Sequence, residues 1–200
     1  MTFLIFDCDG VLVDSEAIAL EVLAQAITEL GHPTDAAECR TRFMGKSLKD
    51  VLIGIETLTG RPLPEDWGTA ANTQLFARFA KELQPVAGIA AAIAAMPYPR
   101  CVASSSQFDR IRLSLAVTGL APLFGENVFS ATQVAHGKPA PDLFLYAAAT
   151  CGFVPAETIV IEDSPSGVMA ALRAGMTPIG FAGASHADAA LADALKAAGA

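Results

Sequence analysis

Residues 2–15, TFLIFDCDGVLVDS, decide how the rest of the chain is read. Phe3, Leu4, Ile5 and Phe6 form a continuous apolar run of the kind found in a strand buried on both faces, and the run stops at Asp7, Asp9 and Gly10. Carboxylates at the carboxyl end of a buried parallel strand are costly to desolvate. That is also where open α/β sheets bind ligands, so the pair is expected to hold a cation, do chemistry, or both. Asp7 and Asp9 are two apart and would share a face if the strand continued, with Cys8 pointing away as a small apolar residue. The plainer alternative is a turn of solvated acids ahead of Gly10.

Outward from this stretch, residues 15–84 read as helices only. The predicted spans are 16–30, 35–43, 48–59 and about 65–83. In the first, Ile18, Val22, Ala26 and Leu30 make one apolar stripe with Leu23 and Ile27 beside it; Trp67, Phe76 and Phe79 in the last read as core. The pattern changes at Gln84-Pro85-Val86-Ala87-Gly88. From there helices at 89–96, 108–117, 142–151, 167–174 and about 188–198 alternate with strands at 101–104, near 127–129, 158–161 and 177–180. Such alternation implies βαβ units, so the fold class is α/β, a doubly wound parallel sheet. The first strand belongs to that sheet. Residues 1–14 and 85–200 are therefore expected to form the core, and 15–84 an all-helical insertion, or cap, joined by two short connections that invite hinge closure over the acidic mouth.

The apolar fraction of 52% over 200 residues suits one sizeable core with an insertion and excludes disorder. No apolar stretch approaches the ~20 residues needed to span a bilayer, and no basic segment precedes a cleavable apolar one, so the reading is cytoplasmic. Cys8, Cys39, Cys101 and Cys151 have no paired spacing and read as reduced thiols. Twenty-one acids against thirteen bases, net −8, argue against nucleic acid or an anionic membrane as partner. The expected partner is a small molecule, and the chain is expected to work as a monomer or homodimer.

The later strands also run into chemically useful residues: Ser104-Ser105-Ser106 after the second, Glu162-Asp163 after the fourth, with Gly137-Lys138-Pro139 ahead of a helix. Singly, these could be caps and surface charges. Together, Asp7, Asp9, Glu162 and Asp163 in one crevice would repel one another unless a cation neutralised them, and an all-oxygen set suits Mg²⁺. Mg²⁺ with a lysine and hydroxyls makes a phosphate site, where catalysis is positioning and charge stabilisation and an aspartate can serve as nucleophile. His32, His136 and His186 have no metal-ligand spacing and receive no role.

The ordered pieces DCDGVLVDS, VASSS, GKPAPD and IEDSPSG, with a helical insert after the first, resemble the haloacid dehalogenase (HAD) superfamily, in its branch of phosphatases and phosphomutases with a small helical cap. The resemblance implies that Asp7 is the nucleophile and a Mg²⁺ ligand. It implies that Asp9 protonates the leaving group, then activates water, and lends its backbone carbonyl to the metal. Ser104 and the amide of Ser105 would hold phosphoryl oxygens, Lys138 would neutralise nucleophile and phosphate, Asp163 would ligate Mg²⁺ and Glu162 would support it. Specificity in such a design lies in the cap, where Arg42, Lys46 and Lys49 would suit a sugar or sugar-acid phosphate. Members of the branch continue with a further strand and helix where this sequence ends at Ala200, which bears on the far edge of the sheet and not on the site. Where the branch's β-phosphoglucomutases have a histidine and an arginine, this sequence has Ala19 and Leu48, with Lys49 next door, so hydrolysis is expected over phosphomutase chemistry. Asp9 argues against dehalogenation, since a departing halide needs no acid. A receiver-type phospho-acceptor domain would be shorter, with no helical insert and its acceptor on a later strand.

Overall fold

The computed structural model describes residues 1–44 and 48–200. The chain divides into two compact units, Met1–Asp14 with Leu83–Ala200, and Ser15–Glu82.

The first unit is a five-stranded parallel sheet in the order β3-β2-β1-β4-β5. Its strands are β1 (Phe3–Phe6), β2 (Arg100–Ser104), β3 (Val128–Ser130), β4 (Thr158–Glu162) and β5 (Thr177–Gly180). All four β1 residues are buried because β1 is the middle strand with helices on both faces. Side chains alternate. Phe3 and Ile5 join Cys101, Ala103 and Val160 beneath Leu143, Phe144 and Ala147 of α7 (Asp142–Thr150) and Ala170, Ala171 of α8 (Pro165–Arg173). Phe6 points the opposite way, its ring edge-on to Phe124 at 5.9 Å. Each fully buried Phe or Ile in this core contributes about 1.5–3 kcal/mol. The remaining helices of the unit are α5 (Ile89–Ala95), α6 (Phe108–Val117) and α9 (Ala189–Ala198). Burial and the neighbouring Cys151, half-buried at the end of α7, push the Cys101 thiol up, a proximity their sequence spacing does not reveal.

Element ends depart from the sequence reading where capping decides. The helix expected from 167 starts at Pro165, because Ser164 Oγ accepts from Gly167 N at 3.1 Å and proline at the first helical position has no N–H to satisfy. The strand expected at 127–129 is Val128–Ser130, since Asn127 is held in a turn by its N–H to Phe124 O. The strand expected at 158–161 extends through Glu162.

The second unit holds α1 (Glu16–Glu29), α2 (Ala36–Phe43), α3 (Leu48–Thr59) and α4 (Trp67–Glu82). α1 stops before Gly31, whose φ of +87° only glycine adopts readily. The helix buries two faces, not the single stripe expected. Leu20, Ala24 and Ile27 pack with Cys39, Phe43 and Ile55, while α4 runs along α1 and Trp67 Nε1 donates to Ala26 O at 3.3 Å. α4 begins at Trp67 and not near 65, because Trp67 N closes a turn onto Pro64 O. Phe79 is fully buried and Phe76 partly so. Among the described residues no helix is long and apolar enough to cross a membrane.

Candidate active site

The site grows from the strand register. β1 and β4 run in step, Phe6 opposite Ile161, and Asp7 N continues the ladder by donating to Ile161 O at 3.0 Å. Asp7 thus comes out beside Glu162 at the carboxyl ends of the two strands. On the other side Phe6 pairs with Val102, which sets Ala103 and Ser104 next to Asp7. These neighbours are 97 and 155 residues from Asp7 in sequence, and only a parallel sheet brings them to one edge.

Lys138 fills the space between the two acids. Its Nζ donates to Asp7 Oδ1 at 2.9 Å, to Ala103 O at 3.3 Å and to Glu162 Oε1, so all three N–H groups have acceptors, and it lies over the Phe144 ring. Glu162 is fully buried, and its other oxygen accepts from Ser164 N (3.0 Å) and Ser164 Oγ (2.8 Å). Gly167 lies against this carboxylate, and a Cβ there would overlap it.

Asp9 takes a different direction. The chain leaves β1 at Asp7 and turns at Gly10 (φ +76°), whose N–H meets Val13 O at 2.9 Å, so Asp7 and Asp9 do not share a strand face. Asp9 Oδ2 accepts from Ser106 Oγ at 2.6 Å, and Arg110 Nη2 reaches Oδ1 at 2.8 Å. Arg110 escaped the sequence reading. Its signal was a cation in the first turn of a helix, where the macrodipole disfavours positive charge unless a carboxylate is near. Ser104, buried at the end of β2, accepts from Ser106 N at 3.2 Å, while Ser105 is exposed.

Asp163 follows Glu162 out of β4, and a Cβ on Gly10 would overlap its carboxylate. His186, which the sequence reading left without a role, is buried with Nε2 3.5 Å from Asp163 Oδ2. No sequence spacing announces that contact, since it joins a loop to a strand end. His136 is an exposed residue beside Asp142, and Cys8 is buried.

Among the described residues, Asp7, Glu162 and Asp163 form a group whose oxygens lie within 4.8 Å of one another. Burial pushes the Asp7 carboxyl well above the usual carboxylate range; Lys138 opposes this, and Glu162 and Asp163 add to it. Asp163 is raised too, mainly by burial, against the pull of His186. Burial alone would lower the Lys138 ammonium, but Asp7 and Glu162 outweigh it and hold the pKa above its ordinary value. Two buried carboxyls sharing one ammonium, with the partly buried Asp163 beside them, are under-neutralised. A hard, oxygen-seeking divalent cation fits that donor set.

Of the other residues considered from the sequence, Arg42 is exposed, pairs with Glu38 at 2.7 Å, and lines an open pocket of about 300 Å³ with Thr41, Phe43, Gly54, Thr57 and Leu58. Lys49 is exposed on α3. Lys46 lies outside the described residues.

Comparison with known proteins agrees with this geometry. Residues 1–175 match a family profile described as "Hydrolase: haloacid dehalogenase-like hydrolase". The chain is 29% identical to the 6-phosphogluconate phosphatase of Escherichia coli, over 90% of this chain and 82% of that protein. It is 33% identical to a probable pseudouridine-5'-phosphatase of Drosophila melanogaster, over 88% of this chain and 79% of that one. Among solved structures, a conserved haloacid dehalogenase-like protein of unknown function from Agrobacterium tumefaciens superposes with a TM-score of 0.87 at 38% identity, covering 100% of this chain and 91% of that chain.

Proposed function

This chain belongs to the haloacid dehalogenase-like hydrolases and is a phosphoric monoester hydrolase, and from that premise we propose a Mg²⁺-dependent enzyme that cleaves a sugar or sugar-acid phosphate through an aspartyl-phosphate on Asp7. The observation that carries the proposal is the cluster of Asp7, Lys138, Glu162 and the partly buried Asp163 at the ends of β1 and β4. A structural ion pair would need one acid per lysine, and here one ammonium is shared by Asp7 and Glu162 while Asp163 offers a third oxygen within 4.8 Å of theirs.

In this reading the Asp7 carboxylate attacks phosphorus while Asp9 gives a proton to the departing ester oxygen, breaking the P–O bond. Asp9 then takes a proton from water as that water attacks the aspartyl-phosphate, which releases phosphate and restores Asp7. Ser104 Oγ and the Ser105 N–H hold phosphoryl oxygens, and Lys138 offsets charge on both nucleophile and phosphate. Asp7 and Asp163 would hold Mg²⁺, together with the Asp9 carbonyl. Glu162, whose oxygens are engaged by Lys138 and Ser164, supports the site by fixing both. Bound there, Mg²⁺ supplies Lewis-acid stabilisation of the charge spread over the transferring phosphoryl group.

Residues 15–84 are assigned the part of a substrate-selecting cap, with Arg42, Lys46 and Lys49 as its cationic contacts. The printed activity of the Escherichia coli relative, on a sugar-acid phosphate, favours that substrate class. Ala19 and Leu48 favour hydrolysis over a phosphomutase, since neither side chain can donate a hydrogen bond. A cytoplasmic location accords with four free thiols. The test is phosphate release over a panel of phosphorylated metabolites with Mg²⁺, with a parallel assay for isomerisation of β-glucose 1-phosphate primed by glucose 1,6-bisphosphate. Turnover of sugar or sugar-acid phosphates that a chelator abolishes is expected. No release from any member, or isomerisation faster than release, overturns it.

A further inference from the structure

The loop between β5 and α9 is built from small residues, Ala182, Gly183, Ala184, Ser185 and Ala187, around one large polar side chain, His186. It is tied down at several points. Phe181 N donates to Glu162 O at 2.7 Å, Ala187 N closes a turn onto Ala184 O at 3.1 Å, and Asp188 caps α9 through Leu191 N. Between these, Ser185 grips Asp14 twice, from Oγ to Oδ1 at 2.8 Å and from N to Oδ2 at 3.3 Å. The result is that the next residue, His186, is driven inward to 7% exposure with Nε2 3.5 Å from Asp163 Oδ2. The same carboxylate also meets Gly10, where a Cβ would overlap it and would sit 3.1 Å from His186 Cε1. Asp163 thus lies against both a glycine backbone and an imidazole.

A buried imidazole loses hydration, so an apolar side chain would fill this space at lower cost if packing were its whole task. A carboxylate ligand, in contrast, gains when a partner fixes which way it faces, and outer partners of this kind are typically worth 10–100-fold in metal affinity. We propose that His186 is a positioning residue: clamped by the Ser185–Asp14 contact, it sets the orientation of the Asp163 carboxylate for the divalent cation. This rests on the functional reading above, in that Asp163 is taken there as a metal ligand.

The experiment is calorimetric titration of the full metal-free chain with Mg²⁺, alongside its melting temperature in chelator. His186→Leu keeps the volume and removes the donor, and is expected to weaken Mg²⁺ binding by about 10–100-fold. His186→Gln, which retains an N–H donor, is expected to recover most of that loss. Mg²⁺ affinity within about twofold of wild type for His186→Leu, whatever its melting temperature, would overturn the proposal. If that variant fails to fold, Ser185→Ala decides: it leaves the site intact and removes the shorter of the two bonds to Asp14, weaker Mg²⁺ binding is expected, and unchanged affinity overturns the idea. A wild-type chain that binds no Mg²⁺ removes this proposal and the metal from the functional reading together. Phosphate release that needs Mg²⁺ but is indifferent to His186 removes this proposal alone.

Discussion

Lys138 Nζ lies 2.9 Å from Asp7 Oδ1, with the two side chains 4% and 11% exposed, and the same ammonium also holds the fully buried Glu162. Replacing it by methionine keeps the volume and leaves two carboxyls buried without their shared partner. In metal-free protein Lys138→Met is expected to lose about 3–5 kcal/mol, measured by urea unfolding. Adding Glu162→Gln should recover part of the loss, since it removes one of the stranded acids; a double variant no more stable than the single would argue that Glu162 is not the source of the strain.

The raised carboxyls of Asp7 and Asp163 give the metal-free fold a definite pH dependence. A folded pKa above the unfolded value means that folding favours the protonated form. The associated stability is full below the unfolded value of about 4 and is lost as pH rises through the raised values. Melting temperature in chelator should therefore fall with rising pH over that range. Saturating Mg²⁺ should flatten the slope, because the cation takes the proton's place. A slope identical with and without Mg²⁺ would detach these groups from the metal.

Asp7→Asn keeps shape while removing the proposed nucleophile, and steady-state phosphate release is expected to fall by about 10⁴-fold or more. Melting in chelator should not fall, because one under-neutralised charge is gone.

Asp9→Asn should reduce turnover by about 10²–10⁴-fold on alkyl phosphates and by clearly less on aryl phosphates, whose leaving groups need little protonation. Equal loss on both classes would overturn the acid role proposed for Asp9. Arg110→Ala, which removes the 2.8 Å partner of Asp9, should lower kcat more than it raises KM.

Gly167→Ala adds a single methyl against the Glu162 carboxylate. Overpacking here is expected to cost about 1–3 kcal/mol, and the displaced Glu162 would release Lys138, so phosphate release should drop although position 167 touches no substrate. Full activity in a normally stable variant would mean that the loop yields without moving Glu162.

Much of this architecture is legible in the chain because buried parallel strands announce themselves as unbroken apolar runs. Phe3 to Phe6 stops at acids, Thr158 to Ile161 stops at acids, and a parallel sheet aligns such stops on one edge. What escapes is decided by contacts between loops. Asp9 turns to Arg110 and Ser106 because Gly10 reverses the backbone after β1, and no periodicity encodes the partner of a residue in a turn. His186 meets Asp163 across 22 residues of helix, strand and loop, held by a serine clamp that resembles any surface Ser-His pair when read linearly. Helix ends shift by a residue or two where a side-chain cap, as at Ser164, fixes the start more sharply than hydrophobic spacing does.

The two points at which the chain leaves and re-enters the α/β unit are stitched to each other. Asp14 N donates to Gln84 O at 3.0 Å, Val86 N to Leu12 O at 2.9 Å, and Val13 bridges to Pro85. Everything from Ser15 to Glu82 is therefore a detour whose exit and entrance already touch. Such a seam makes the helical segment an interchangeable cassette: it can be excised and the ends rejoined by a short glycine-rich link, or swapped for another insert, with the five-strand pairing left as it was. If the helical segment selects the substrate as proposed, trading the cassette would change that choice while the acids at the ends of β1 and β4 stay where they are.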